Sequence, residues 1–163
     1  MNKVASYLRG HVTGEVSTRE DVRDAMSTHG GMFQLNPRNT NDIRKVARFS
    51  WQLAEKGHIL PITVRGAGTD ATGAAIGKGV SLVTAAHMNR IFEYDNKQKL
   101  VRLQPGVTVN AINQAMATHG VCIMPLVGSH PYGTVGGAIA TATTGRLAGK
   151  YKTIDPAIDQ LEV

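Results

Sequence analysis

The residues best suited to chemistry form a run of glycines and hydroxyls, Ile62-Thr63-Val64-Arg65-Gly66-Ala67-Gly68-Thr69-Asp70-Ala71-Thr72-Gly73. β-Branched residues lead straight into the glycines, which predicts a strand ending in a loop. Gly66, Gly68 and Gly73 permit positive φ and close approach, so consecutive backbone N–H groups can converge on one anion without a side-chain charge. Thr69 and Thr72 add hydroxyl donors, and Arg65 can pair either with Asp70 or with phosphate. The Asp70 carboxylate would repel phosphate. If the loop holds an anion, that side chain must turn away and cap backbone amides.

A second cluster follows about 60 residues later, and two such clusters suit an elongated ligand with two phosphates. It comprises Gly128-Ser129, Gly133-Thr134-Val135-Gly136-Gly137, and then Thr141, Thr143, Thr144 and Gly145. Neither common nucleotide fingerprint accounts for the first loop. Gly66-x-Gly68-x-x-Ala71 should open a helix and be followed about 20 residues on by an acid. Instead Gly73, Gly77 and Gly79 interrupt any helix, and Ala85, Ala86 and His87 stand at that distance. A triphosphate loop is excluded as well, because the Gly73 to Gly77 spacing is one residue short and Gly79 replaces the hydroxyl residue that would bind magnesium.

Other chemistry finds little support. The six histidines, at 11, 29, 58, 87, 119 and 130, form no close pair at metal-ligand spacing, so no metal is expected. His58 and His119 sit at helix ends, where the dipole favours a cation, and only His130 falls within a candidate ligand loop. Cys122, between Val121 and Ile123, reads as a small buried strand residue. No Ser, His and Asp set has a recognisable spacing for hydrolysis.

The elements that position these loops follow from periodicity. Thr18 before Arg19-Glu20-Asp21 predicts a capped helix ending before Gly30. A longer helix is predicted to start after Asn39-Thr40 and run to about Lys56, with Ile43, Val46, Ala47, Ser50, Leu53 and Ala54 on one face and Gly57 as the stop. Strands are expected over residues 60–64 and 80–84, and a hairpin over residues 90–94 and 100–103 around Asp95-Asn96-Lys97. A third helix starts at the Thr108 cap and ends at Gly120, with a strand at 121–124 and a loop-rich tail after it. The pattern predicts a single α+β domain of two small layers.

Composition sets outer limits. A length of 163 residues with 42% hydrophobic and 18% charged residues describes one folded domain with a core. The first 25 residues hold no apolar run long enough for a signal peptide or membrane span, which leads to an expected cytoplasmic location. Net charge is +6, and no acidic residue lies between Asp95 and Asp155, whereas Lys97, Lys99, Arg102, Arg146, Lys150 and Lys152 do. That stretch should attract anions. Nucleic acid is not the expected partner, since the eight aromatics (one Trp, four Tyr, three Phe) form no cluster with arginine.

At the glycine loops the sequence resembles the flavoprotein family of vanillyl-alcohol oxidase and p-cresol methylhydroxylase, especially its D-lactate dehydrogenase and glycolate oxidase branch. Arg65-Gly-Ala-Gly-Thr69, Thr72-Gly73, Val80-Ser-Leu82 and Met88-Asn89-Arg90-Ile91 follow the family's order, as do Gln104-Pro105-Gly106-Val107-Thr108 and Thr134-Val135-Gly136-Gly137. The resemblance is strongest over residues 35–163. It implies a two-layer FAD-binding domain of the p-cresol methylhydroxylase type, with a small parallel-stranded subdomain and a mixed or antiparallel one. It also implies that residues 66–70 receive the FAD diphosphate, and that Gly128, Ser129, Thr134, Gly136, Gly137, Thr141 and Gly145 line the other side. Some members join flavin covalently through a histidine in this loop; Thr69 stands at that place, so dissociable FAD is expected.

Three departures from the family pattern stand out. A short strand looks missing between residues 28 and 39, before the first long helix. Thr143-Thr144 and Tyr151-Lys152 replace an asparagine-containing run and Tyr-Gly. The chain stops at Val163 where relatives continue into a substrate domain. The expectation is a truncated FAD-binding module that is inactive alone and relies on a missing C-terminal half or a partner subunit. The rival expectation is a folded fragment that binds no flavin, which as a homo-oligomer would cover its sheet edge.

Overall fold

The computed structural model describes residues 3–18, 33–123 and 131–162. The chain divides into two compact units, Met1–Met88 and Asn89–Val163, each with its own apolar cluster. The α+β expectation holds: parallel strands lie in the first unit and an antiparallel pair in the second.

Unit 1 contains α1 (Lys3–His11), β1 (Glu15–Thr18), β2 (Phe33–Asn36), α2 (Thr40–Glu55), β3 (Ile62–Arg65) and β4 (Val80–Val83). The sheet order is β1-β2-β4-β3. Strand β1 runs antiparallel to β2, while β2 and β3 both run parallel to β4. Val80, Ser81 and Leu82 are all buried, as a strand covered on both faces requires. Phe33 and Leu35 of β2, Ala5 and Leu8 of α1, and Val46 of α2 complete the core with Val16 and Leu60.

Helix α2 matches its expected bounds because both ends carry strong signals. The Asn39 side chain accepts from the Asp42 N–H at 3.0 Å. At the other end Gly57 has φ +78 and donates to the Ala54 carbonyl at 2.9 Å, a glycine closure of the last turn. Ala47 and Ala54, expected on the buried face, are exposed; Ile43, Val46, Phe49 and Leu53 make the apolar contacts.

Asp42 anchors this half of the molecule. It is fully buried and accepts from the Thr13 N–H and hydroxyl, both at 2.8 Å, and from the Arg38 N–H at 3.0 Å. The turn after α1 is thereby tied to the start of α2. Burial by itself would raise the Asp42 pKa, but these hydrogen bonds and one from the Gly14 backbone outweigh it and hold the carboxyl below its ordinary 3.8.

The connection between β3 and β4 shapes the candidate site. Neighbouring parallel strands need a crossover of a dozen or more residues, which is usually a helix. Here residues 66–79 form neither helix nor strand. Gly77 packs against the Thr63 side chain, and Gly79, with φ +93, packs against the Pro61 carbonyl, so side chains at these positions would block the return path.

Several expectations for this unit need correction. The strand that looked missing before the long helix is present as β2, and β1 pairs beside it. Helix α1 was not anticipated, since only Ala5 and Leu8 of its nine residues are buried. Thr18 is the last residue of β1, and the helix expected after it lies outside the described residues. Strand β3 begins at Ile62 and not at Leu60, because Pro61 has no N–H to give the ladder.

Unit 2 opens with the expected hairpin, β5 (Ile91–Asp95) and β6 (Leu100–Leu103). The Asp95 carboxylate closes its turn by accepting from the N–H groups of Lys97 at 2.7 Å and Gln98 at 3.0 Å. Helix α3 (Val109–Met116) starts at its Thr108 cap, runs into the 3-10 turn Ala117–His119 and ends at Gly120, φ +67. Two short helices follow, α4 (Val135–Ala140) and α5 (Ala148–Tyr151). Val107, Val109, Ile112, Met116, Val135, Ala138 and Ile154 form the core.

The strand expected at 121–124 does not form over its described residues, 121–123. The Ile123 N–H instead donates to the Asn113 side chain at 2.9 Å. Val121 and Ile123 pack on the core while the intervening Cys122 faces outward, so the cysteine is exposed and not buried.

Two measurements test this description. Asp42→Ala is expected to cost about 3 kcal/mol in urea unfolding at pH 7, since it strands buried N–H donors. Because the folded-state pKa lies below the unfolded one, the Asp42 contribution is complete above pH 3.8 and is lost as pH falls through the folded value. The variant and the wild type should therefore converge in acid. Lys152 has φ 58 and ψ −124, a conformation suited to glycine. Lys152→Gly should raise stability by about 1 kcal/mol, read as a higher Tm.

Candidate functional site

The glycine loop begins where β3 ends. Arg65 is held in the sheet opposite Val83, and its carbonyl accepts from the hydroxyl of buried Thr84 at 3.3 Å. The Thr84 contact gave no signal in the sequence beyond its place at the end of an apolar strand.

Asp70 turns into its own loop, as an anion site requires. Its carboxylate accepts from the Thr72 hydroxyl at 2.7 Å and from the Ala74 N–H at 2.9 Å. The Thr72 hydroxyl is the main cause of a lowered Asp70 pKa; partial desolvation opposes it, and the N–H groups of Ala74, Thr72 and Gly73 reinforce it. The Thr72 hydroxyl proton is therefore engaged inside the loop.

Two consequences follow for the loop's electrostatics. Among the described residues, the N–H groups of Ala67, Gly68, Thr69 and Asp70 have no hydrogen-bond acceptor. Arg65, likewise among the described residues, makes no ion pair, because Asp70 is occupied with its own turn. The Arg65 guanidinium lies across Gly68, which has φ +72. Gly73, φ +87, faces open space. A row of free N–H groups beside an unpaired guanidinium, with no carboxylate turned toward them, is a donor set for an anion. These residues fit a phosphate-bearing group.

The second cluster has a different character. Thr134 is buried and caps α4, accepting from the Gly137 N–H at 3.3 Å. The Gly136 N–H donates to the Pro105 carbonyl at 2.8 Å. A Cβ on Gly136 would stand 2.7 Å from the Pro105 Cβ and 2.9 Å from its carbonyl oxygen. The Thr141 hydroxyl donates back to the Gly137 carbonyl at 3.0 Å, and the Gly145 carbonyl accepts from Ala148 at 3.0 Å. These glycines and threonines thus build local turns. Gly128, Ser129 and His130 lie outside the described residues.

No group of three or more His, Cys, Asp or Glu side chains among the described residues could hold a metal ion. Likewise, no helix among them is long and apolar enough to cross a membrane.

Residues 33–163 match the family model described as FAD binding domain. The chain is 33% identical over 150 residues to D-2-hydroxyglutarate dehydrogenase of Escherichia coli (strain K12), covering 88% of this chain and 14% of that protein. It is 30% identical over 130 residues to glycolate oxidase subunit GlcD of Bacillus subtilis (strain 168), covering 79% of this chain and 27% of the relative. Among solved structures, 6-hydroxy-D-nicotine oxidase from Arthrobacter nicotinovorans aligns with a TM-score of 0.70 at 23% identity, over 88% of this chain and 32% of that one. The chain belongs to the FAD-binding domain family shared by FAD-linked 2-hydroxyacid oxidoreductases. It spans about one seventh of the D-2-hydroxyglutarate dehydrogenases it matches, at 14% of their length.

The two glycines of α4 give a sharp comparison. Gly136→Ala is expected to destabilise the protein by about 2 kcal/mol in denaturant unfolding, because the Pro105 backbone cannot give way. Gly137→Ala, whose Cβ would meet only the Thr134 hydroxyl at 3.2 Å, should cost less than about 0.5 kcal/mol.

Proposed function

We propose that this chain binds FAD non-covalently and serves as the cofactor-holding part of an FAD-linked 2-hydroxyacid oxidoreductase. The observation that carries the reading is the row of four unaccepted N–H groups, Ala67 to Asp70, in a loop whose one carboxylate is turned inward. Such a row receives the diphosphate by oriented dipoles. Gly66 and Gly73 let the backbone approach, and Thr69 adds a hydroxyl. Threonine has no ring nitrogen to bond the flavin, which supports a dissociable cofactor.

In unit 2 the proposal keeps Gly128, Ser129, Thr141 and Gly145 as cofactor contacts, and gives Thr134, Gly136 and Gly137 the role of building the α4 turn. When bound, FAD supplies a hydride acceptor, and the protein contributes binding and orientation. The base that removes the substrate proton, and any metal that orients the substrate, would belong to a segment or partner subunit outside this chain, as its 14% share of the relatives suggests.

The test is titration of the full chain with FAD, followed by flavin fluorescence and the visible spectrum. Wild type should quench and shift the flavin, and acid precipitation should then leave the flavin in the supernatant. Gly68→Val, which puts a β-branched residue at φ +72, should weaken binding by about a hundred-fold or more. A wild-type protein that leaves the flavin spectrum unchanged at any concentration would sink the reading and favour a folded module without flavin.

A further inference from the structure

We propose that the groove between α1 and α2 docks an acidic segment of a partner protein, seating one aromatic side chain of that segment against the rings of Tyr7 and Phe49 and its flanking carboxylates on Lys45 and Arg48.

Helical spacing builds the groove. Tyr7, Gly10 and His11 share a face of α1, and Lys45, Arg48, Phe49 and Gln52 share a face of α2. Together with the buried Leu8 they line a space of about 360 Å³. The Tyr7 ring stacks on Phe49 of the other helix at 4.6 Å and on His11 of its own at 4.0 Å. The Lys45 ammonium donates to the His11 carbonyl at 2.7 Å, tying the end of α1 to α2, and His11 Nδ1 donates to the Tyr7 carbonyl at 2.7 Å. The rings and the ammonium are thus held in place before any partner arrives, which lowers the ordering cost of binding.

Gly10 keeps the space open. A glycine inside a helix costs stability relative to alanine, and neither backbone conformation nor packing asks for one here. Its φ is not in the left-handed region, and a Cβ at this position would meet nothing within 4 Å.

The lining carries cations and no carboxylate. Helix α1 has no acidic residue, and the two of α2 are engaged elsewhere: Asp42 by the N–H groups of Thr13 and Arg38, and Glu55 by the Trp51 indole N–H at 3.0 Å. Arg48 has no ion pair among the described residues. Cations beside exposed rings complement carboxylates that flank an aromatic side chain. The groove also stays open to solvent, with Tyr7 44% exposed and Lys45, Arg48 and Gln52 exposed as well. Sites for free small molecules bury about 70–90% of the ligand, which an open groove does not do. A peptide closes the open side with its own backbone. A nucleic-acid strand would need a track of cations and a free ring face for each successive base, whereas this is one short groove whose Tyr7 ring is already stacked on two others.

Fluorescence anisotropy of the full chain with a labelled, short synthetic glutamate peptide carrying one central tryptophan tests this. Wild type should bind it at least about ten-fold tighter than the same peptide with glutamines for glutamates or alanine for tryptophan, with affinity falling as salt rises. Gly10→Leu, which fills the groove with a good helix former, and Arg48→Glu, which reverses its free charge, should each weaken binding by about ten-fold or more. Arg48→Lys should stay within about three-fold of wild type. Equal affinity for the three peptides, or undiminished binding in Gly10→Leu or Arg48→Glu, would overturn the proposal. N-acetyltryptophan competing as well as the peptide would replace it with a small-molecule site, and oligothymidine competing as well would replace it with a nucleic-acid site. Should circular dichroism show one variant unfolded, the other decides.

Discussion

Strands β3 and β4 lie side by side and run the same way, so the chain leaving β3 at Arg65 must travel back the length of the strand before β4 begins at Val80. A helix would make that journey with its own N–H groups satisfied. This chain makes it with glycines, and Gly77 and Gly79 are pressed so close to Thr63 and Pro61 that the return path admits no side chain. The cost of a non-helical crossover is unpaired backbone. The N–H groups of Ala67 to Asp70, left without acceptors at the carboxyl end of a parallel strand, are that cost. Ligands of open parallel sheets gather at the carboxyl ends of strands. The proposed anion site thus has a cause in the topology before any side chain is considered.

Two aspartates show how differently orphaned N–H groups can be treated. Asp42 is buried and takes up the N–H groups of Thr13 and Arg38, closing the junction between the turn after α1 and the start of α2. Asp70 takes up the Thr72 hydroxyl and the Ala74 N–H, while the N–H groups of Ala67 to Asp70 have no acceptor among the described residues. In both, hydrogen-bond donors hold the carboxylate ionised: mainly the Thr72 hydroxyl for Asp70 and, against the opposing effect of burial, backbone N–H groups with the Thr13 hydroxyl for Asp42. In the second case these bonds also engage the one carboxylate of the loop, and Arg65 has no ion pair among the described residues.

What the sequence made legible divides along the same line between local and non-local causes. Helix α2, the hairpin at Asp95 and helix α3 each announce themselves through a cap, a stop glycine or an Asx turn within a few residues. The inward turn of Asp70 was legible too, since electrostatics demanded it. Helix α1 and strand β2 were not. The first buries only two of its nine residues. The second is four residues long, with Phe33 and Leu35 made meaningful by their distant neighbour β4. Cys122 was misread because the alternation around it was right and its phase was wrong.

The glycines of the second cluster mark the deeper limit. A glycine required because a ligand comes close and one required because another backbone comes close answer to the same physical need, the absence of a Cβ. Sequence alone gave Gly136 the first meaning, and the Pro105 carbonyl at 2.8 Å from its nitrogen gives it the second. Thr134 shows the same ambiguity for a hydroxyl, since it caps α4, just as Thr108 caps α3. With those groups absorbed into the fold of unit 2, the proposed diphosphate site rests on the loop after β3. There, among the described residues, the N–H groups of Ala67 to Asp70 have no acceptor and the Arg65 guanidinium no ion pair.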